Sequence, residues 1–311
     1  MPRLAAALAL AVVPALAAAH RPVPALAAAQ GQAPAKAHQV EKLSERSYVI
    51  FGRGGNVGLF LGEKEAVLVD AQYELGVPGL LEAVASVTDK PLRFLVNTHH
   101  HGDHVGGNAT LAGRVQAIVA HANVRRRMEA EQEKVEPAKR GGLPTLVVGE
   151  ADPRTPGRVD VRLPGLELHV VHRVAAHTDG DLLVGNPPDL VIHMGDVMFL
   201  GLLPFVDAKE GGGSFEGVLE TVAWLAGWLP DGARIIPGHG PVCGRKELLR
   251  YRDFLAALKA HAAAHPGRSS KELAASFDQA AWPEWKPEPA FVTWETLFDA
   301  VTGRGPGRVA K

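Results

Sequence analysis

The segment Asn97-Thr98-His99-His100-His101-Gly102-Asp103-His104 is the most informative part of this sequence. Four of the chain's 14 histidines fall within it, directly after the apolar run Leu92–Val96, which is typical of a buried strand. Neutral imidazole and carboxylate ligands suit zinc, and the segment offers no thiolate for a closed structural cysteine site. The segment therefore predicts a metal site at the end of a strand.

Spacing within the segment predicts two neighbouring metal positions. In an extended chain, residues two apart project to the same side, so His99 and His101 can address one metal ion while His100 points away. Asp103 and His104 come after a glycine that permits a turn, so they can address a second ion nearby.

Three later motifs extend this pattern: Ala176-His177-Thr178-Asp179-Gly180-Asp181, Met194-Gly195-Asp196 and Pro237-Gly238-His239-Gly240. With His-x-His-x-Asp-His after a strand, they stand in the order found in the metallo-β-lactamase superfamily, which the chain resembles over roughly residues 40–260. The resemblance implies an α/β fold in which two mixed β-sheets are sandwiched between outer helices, an αββα arrangement. The N-terminus and the stretch around residues 203–214 look most like those of periplasmic hydrolases in this superfamily whose substrates are loosely defined. Some of these hydrolases are β-lactamase-like, and others are partners of quinoprotein systems.

The resemblance also implies a complete set of seven metal ligands. They form two groups and one bridging residue: His99, His101 and His177 on one zinc ion, Asp103, His104 and His239 on the other, and Asp196 between them. Asp70, at the end of an apolar strand, either supports these ligands from behind or simply ends the strand in a turn. Thr178 and Asp181 are polar turn residues and are left out of the ligand set.

The activity implied by this set is hydrolysis by a metal-bridging hydroxide. Two zinc ions about 3.5 to 4 Å apart can share a water and lower its pKa towards about 7. The hydroxide would attack a small ester, thioester, lactone or lactam, while Asp103 orients it or carries its proton. No covalent enzyme intermediate is required.

Fold resemblance alone does not choose among the activities of the superfamily. The flavodiiron branch has Glu at the position of His101, and zinc β-lactamases lack the bridging Asp, so Asp196 favours the thioesterase and lactonase types. Antibiotic hydrolysis by a metallo-β-lactamase and a mononuclear iron enzyme of the sulfur-dioxygenase type remain the alternatives. A metal-binding accessory protein without turnover is disfavoured because every ligand position is filled.

Composition and charge exclude several other classes. The chain has 311 residues, 46% of them hydrophobic, and its 33 Lys and Arg balance 34 Asp and Glu to a net charge of −1. This balance leaves no excess of positive charge of the kind that binds nucleic acid or an anionic membrane. A small-molecule substrate is expected, and the sequence leaves the oligomeric state open.

The N-terminus predicts export to the periplasm. Arg3 is followed by an apolar run, 4–13, and by small residues, as in a secretory signal, and the run is too short for stable membrane insertion. The alternative is an Ala-rich tail. We expect a signal peptide and the start of a linker over 1–29, a linker over 30–38, the metallo-β-lactamase domain over 39–265, and a C-terminal helical extension over 266–311 that packs on this domain.

Hydrophobic periodicity predicts an opening β meander with strands over 48–51, 57–61 and 66–69, followed by a helix over 77–87. Strands and helices then alternate, with a loop over residues 136–157. Near the C-terminus, Ser269 and Glu272 are expected to form a capping box, and a last short helix is expected near 291–301.

The Gly-rich stretch 211–214 is either a substrate lid or a plain connector. His121 is expected at a helix start on the surface, and His169, His172 and His193 in strands as core or edge residues. Cys243, the single cysteine, is expected to be a buried small apolar side chain.

Overall fold

A computed structural model describes residues 38–137, 140–150, 152 and 154–304. The predicted signal peptide and all of the predicted linker except His38 lie outside these residues. The described strands are β1 Gln39–Lys42, β2 Ser47–Phe51, β3 Val57–Leu61, β4 Ala66–Val69, β5 Leu92–Val96, β6 Ala117–His121, β7 Leu146–Val148, β8 Gly157–Leu163, β9 Leu166–His172, β10 Leu183–Asn186, β11 Val191–Phe199, β12 Gly201–Leu202, β13 Arg234–His239, β14 Cys243–Gly244 and β15 Trp285–Lys286. The helices are α1 Val77–Val87, α2 Gly102–Val105, α3 Asn108–Leu111, α4 Ala122–Glu133, α5 Phe215–Trp228, α6 Arg245–Ala264, α7 Ser270–Ser276 and α8 Trp294–Thr302.

The first large sheet has the strand order β1-β2-β3-β4-β5-β6-β7. Strands β1 to β4 form an antiparallel meander, and β4 to β7 run parallel because helices connect them. The opening meander and the later alternation of strands and helices are as predicted. Helix α1 and strand β5 have the predicted boundaries.

The second large sheet has the strand order β14-β13-β11-β10-β9-β8. Strands β11 and β13 pair in parallel, with register shifts after His193 and after Gly195, and the other pairs are antiparallel. The shifts fall beside Asp196, so the irregular backbone of a buried strand sets the direction of this side chain.

Three apolar clusters show how the layers pack. One lies between the two sheets and contains Val49, Val69 and Val96 from the first sheet and Leu168 and Val184 from the second. Because strand side chains alternate, their neighbours on the first sheet face outward and pack on α1. The outer face of the second sheet packs on α5 and α6. The predicted αββα arrangement of two mixed sheets between outer helices is confirmed.

The C-terminal helices share the core of the second outer layer. Leu273 and Phe277 from the α7 region and Phe298 from α8 are buried in the same cluster as α5 and α6. A capping box between Ser269 and Glu272 begins α7, as predicted. The helix expected from Phe291 instead begins at Trp294, because Thr293 caps it. Within the described ranges, no helix is long and apolar enough to cross a bilayer.

Two expectations about local structure are wrong. The stretch 136–157 was expected to be entirely loop, but it contains β7, a three-residue edge strand that pairs with β6. His121 begins α4 as expected, yet it is buried rather than on the surface, because its ring stacks on His172 at 4.1 Å. Cys243 is buried as expected, and burial raises the pKa of its thiol to about 12.

Candidate metal centre

The seven predicted ligands come together from separate elements. His99 and His101 follow β5, Asp103 and His104 lie in α2, and His177 lies between β9 and β10, while β11 carries Asp196 and β13 ends at His239. Close approach of the two parallel strands requires Gly238, because a Cβ there would lie 1.9 Å from Oδ1 of Asp196. The loops after several strands therefore converge on one buried carboxylate.

The first group consists of His99, His101 and His177. One ligand atom from each of these residues and one from Asp196 all lie within 4.8 Å of one another. The nitrogens Nδ1 of His101 and Nε2 of His177 are 3.0 Å apart. His99 and His177 are fully buried, and His101 is 9% exposed.

The second group consists of Asp103, His104 and His239, whose ligand atoms also lie within 4.8 Å of one another. Oδ2 of Asp103 is 3.2 Å from Nε2 of His239 and 3.6 Å from Nε2 of His104. The side chains of Asp103 and His239 are 19% and 22% exposed, so this group faces solvent.

Asp196 lies between the two groups and is almost fully buried. Its Oδ2 is 3.8 Å from Nε2 of His99 and 3.5 Å from Nε2 of His177, on the side of the first group. On the side of the second group, its Oδ1 is 3.1 Å from His104 and its Oδ2 is 3.6 Å from His239. One carboxylate thus faces four imidazoles, the arrangement that a bridging ligand requires.

Hydrogen bonds on the outer side of the histidines fix which ring nitrogen is free in the first group. Nδ1 of His177 donates to the carbonyl oxygen of Phe205 at 2.7 Å, so Nε2 carries the lone pair. Nε2 of His101 faces the carboxylate of Asp207 at 2.9 Å, so Nδ1 carries the lone pair. These two lone pairs face each other at 3.0 Å and repel, and a cation between them would satisfy both.

The free ring nitrogen of His99 is likewise fixed by a hydrogen bond on its outer side, which is made with Thr98. Thr98 donates its hydroxyl to Oδ2 of Asp70 at 2.8 Å, so its oxygen is free to accept from Nδ1 of His99 at 3.1 Å. Nε2 of His99 then points inward, buried, with no hydrogen-bond partner among the described residues. An unpartnered buried nitrogen of this kind fits a metal ligand.

Ionisation differs between the two groups in the metal-free protein. Burial lowers the pKa of His99 well below its usual value and that of His177 to about 4, so both rings are neutral. Burial would also lower the pKa of His104 and His239, but the carboxylates of Asp196 and Asp103 outweigh it; the pKa of His104 lies well above its usual value and that of His239 is about 9.

The carboxylates of the centre are ionised. Burial alone would raise the pKa of Asp196, but the neighbouring His104 and His239 hold it well below its usual range. The same histidines lower the pKa of Asp103 to about 2 against the effect of burial. Imidazole nitrogens and anionic carboxylate oxygens together make a donor set that suits divalent cations.

Sequence motifs identified only some of the residues that support the ligands. Asp70 lies where its strand position predicted, with Oδ2 accepting from Nδ1 of His104 at 2.7 Å. Thr178 and Asp181 bond each other beside His177. Asp207 and the carbonyl of Phe205 were not predicted as supports, because they lie outside any ligand motif.

Two of the other histidines expected in strands are buried and hydrogen-bonded. His193 lies 3.0 Å from the carbonyl of Asn56, and His172 lies 2.9 Å from the carbonyl of Asp181. His169 is partly exposed and faces Glu167 at 3.1 Å. All three have local partners away from the ligand groups.

Comparisons with known proteins agree with this fold. A sequence model described as the metallo-beta-lactamase superfamily matches residues 50–239. A metallo-beta-lactamase from Pontibacter korlensis is 17% identical, covers 70% of this chain and 99% of its own, and superposes with a TM-score of 0.58. The sec-alkylsulfatase Pisa1 from Pseudomonas sp. is 18% identical, with 87% of this chain and 50% of that chain covered and a TM-score of 0.64.

A curated relative adds a different activity. The 2,4-dinitroanisole O-demethylase subunit alpha from Nocardioides sp. (strain JS1661) is 23% identical over 169 residues, which is 51% of this chain. The match spans 43% of the length of that relative. The family match covers well over half of the chain and includes all seven predicted ligands, so this protein belongs to the metallo-β-lactamase superfamily.

Proposed function

We propose that this protein is a zinc-dependent hydrolase whose two metal ions are held by the two groups and bridged by Asp196. The observation that carries the proposal is the position of Asp196, whose carboxylate faces imidazoles of both groups at 3.1 to 3.8 Å. His99, His101 and His177 would hold one ion, and Asp103, His104 and His239 the other. When bound, such a pair supplies a water acidic enough to ionise near neutral pH and polarises the oxygen of a substrate.

The side chains of the centre have distinct tasks in this proposal. Asp103 is ionised and partly exposed, so its Oδ2 can accept and pass on a proton where substrate enters. His101 is held by Asp207 and His104 by Asp70, so both rings keep their direction when substrate enters. The buried thiol of Cys243 stays protonated and is not a nucleophile.

The proposed substrates are small esters, thioesters, lactones or lactams. Asp196 supports this range over a dedicated zinc β-lactamase, since that group was expected to lack an Asp bridge. The activities named for the similar proteins, alkyl sulfate cleavage and removal of a methyl group from an aryl ether, add two further compounds to the test. The expected periplasmic location and small-molecule partner belong to the same proposal.

Metal analysis followed by a panel of substrates tests the proposal. The panel contains a chromogenic cephalosporin, a lactoyl thioester, an acyl lactone, a phosphotriester, a secondary alkyl sulfate and 2,4-dinitroanisole. We expect about two zinc ions per chain and hydrolysis of at least one of the carbonyl substrates. His169→Ala, which alters a histidine outside the two groups, is the control variant and should retain wild-type turnover.

Three outcomes would contradict the proposal in different ways. Zinc-loaded protein that cleaves only the sulfate or the ether would reject the carbonyl substrates. One iron per chain with oxidation of a sulfur compound would favour the sulfur-dioxygenase alternative. A stable acyl-enzyme trapped during turnover would reject hydrolysis without a covalent intermediate.

A further inference from the structure

The segment that links β12 to α5, residues 203–214, lies against the first group and is here called the strap. Its backbone forms two hydrogen bonds with the loop that carries His177. Asp207 N–H donates to the carbonyl of His177 at 2.9 Å, and Ser214 N–H donates to the carbonyl of Ala176 at 2.7 Å. A Cβ at Gly213 would lie 2.2 Å from the carbonyl oxygen of His177, so glycine is needed for this close packing. The strap therefore packs on the loop that carries His177, and Gly213 allows this close contact.

Asp207 is the charged residue through which the strap reaches the centre. Its side chain is 4% exposed, and Oδ2 lies 2.9 Å from Nε2 of His101. Its other oxygen, Oδ1, accepts from the backbone N–H of Glu210 at 3.0 Å. The N–H of Gly213 donates to the Asp207 carbonyl at 2.8 Å. The carboxylate is thus fixed at both oxygens and cannot turn away from the histidine.

His101 depends on such a support more than its neighbours do. His99 and His177 are fully buried and point Nε2 inward, whereas His101 is 9% exposed and points Nδ1 inward. A cavity of about 430 Å³ opens beside His101, with Arg127, Glu131 and Gln132 among its lining residues. Without Asp207, the ring has room to turn towards this cavity.

We propose that Asp207 is a positioning residue that holds His101 in the tautomer with Nε2 protonated, leaving Nδ1 free to bind the metal ion of the first group. The effect of this tautomer on metal binding rests on the proposed function, because Nδ1 of His101 faces the space that the metal ion would fill. Carboxylate partners of metal-binding histidines fix both the ring orientation and the tautomer, and their loss typically costs about 10- to 100-fold in metal affinity.

The first test uses the metal-free protein and is independent of turnover. Long-range ¹H–¹⁵N spectra of ¹⁵N-histidine-labelled protein report which nitrogen of each imidazole is protonated, and His101→Gln assigns the signal. We expect His101 to show a protonated Nε2 in the wild type and a mixture of tautomers in Asp207→Ala. Asp207→Asn should keep the wild-type pattern, because an amide oxygen still accepts the N–H. An unchanged His101 signal in Asp207→Ala would overturn the proposal.

The second test measures zinc affinity at both sites by competition with a chelating dye. Asp207→Ala should weaken one site by about 10- to 100-fold and leave the other unchanged, and Asp207→Asn should fall between Asp207→Ala and the wild type. Glu210→Ala is the matched control, because Glu210 contacts Asp207 and Arg127 through its backbone and its side chain is exposed. Equal affinity in Asp207→Ala and the wild type, or equal weakening of both sites, would overturn the proposal.

The two tests separate this inference from the proposed function. If the tautomer and the affinity of one site change as expected but zinc-loaded wild type hydrolyses nothing in the panel, only the hydrolase proposal is rejected. If hydrolysis is found and Asp207→Ala leaves both His101 and zinc affinity unchanged, only the positioning role is rejected.

Discussion

The two ligand groups share Asp196 but differ in exposure and charge. Two of the three histidines in the first group are fully buried, whereas two of the three residues in the second group have side chains about one-fifth exposed. Burial keeps the rings of His99 and His177 neutral without metal, whereas nearby carboxylates raise the pKa of His104 and His239. In the proposed function, this contrast means that the first group would anchor one ion in the core and the second would present the other to substrate.

The residue common to both groups should have the largest effect. Asp196→Ala removes the proposed bridge, so we expect loss of zinc from both groups and a decrease in kcat/KM of more than about 1000-fold, equivalent to about 4 kcal/mol. Zinc content by mass spectrometry and turnover on the best substrate measure this. Asp231→Ala, at a carboxylate with a 95% exposed side chain, is the control. Full zinc content in Asp196→Ala would show that the two groups bind metal independently of this carboxylate.

A pair of variants sharpens the difference between the groups. His101→Ala should abolish measurable turnover and lower the zinc content, because it removes a ligand from the anchoring group. His239→Ala, at the exposed group, should retain one tightly bound zinc ion and lose at least about 100-fold in kcat/KM, or nearly 3 kcal/mol. Zinc per chain after gel filtration distinguishes the two. Activity retained in His101→Ala would remove the histidine cluster from the mechanism.

The hydrogen bond from His104 to Asp70 should contribute to the zinc affinity of the second group. Asp70→Asn weakens a carboxylate–imidazole contact of 2.7 Å, so zinc affinity at the second group should fall by about 10- to 100-fold. The first group should lose less, because Asp70 reaches His99 only through the hydroxyl of Thr98. The exposed Asp89→Asn is the control. Comparison with Asp207→Ala by dye competition shows whether the two substitutions affect different sites. The larger loss at the same site in both variants would contradict the assignment of Asp207 to the first group and of Asp70, through His104, mainly to the second.

The smallest effect concerns a histidine outside both groups. Burial, His172 and Arg126 lower the pKa of His121 to about 4, against about 6.5 in an unfolded chain. As pH falls from 6.5 to 4, the unfolded chain takes up a proton first, so the metal-free folded protein loses stability. His121→Asn keeps a helix cap and should lose less stability between pH 7 and pH 5, as measured by urea unfolding. Identical losses in the variant and the wild type would exclude His121 as the cause.

Motifs with local spacing were predicted well from the sequence. The periodic segments predicted α1, β3, β4 and β5 with their observed boundaries, because their buried faces follow the period of helix or strand. Strand β8 was missed, since Arg158, Asp160 and Arg162 place charges along an edge strand that buries only one residue fully. The sequence pattern there resembles that of a loop.

Supports that depend on tertiary contacts were not predictable in the same way. Asp207 meets His101 from 106 positions away, and no spacing rule connects them. Asp70 was identified because the resemblance to the superfamily implies a supporting residue at the end of its strand. The buried stacking of His121 on His172 likewise joins two strands of different sheets. The ligand residues in the motifs were therefore predicted from the sequence. Some of the residues that hydrogen-bond to these ligands could be identified only from the structure.

The position of bound metal is the most direct test of the central claim. Crystals of zinc-loaded protein, measured on both sides of the zinc absorption edge, show zinc as anomalous peaks. Two peaks are predicted, one beside His99, His101 and His177 and one beside Asp103, His104 and His239, with Asp196 in contact with both. A single peak, or peaks away from Asp196, would contradict a two-metal centre in this protein.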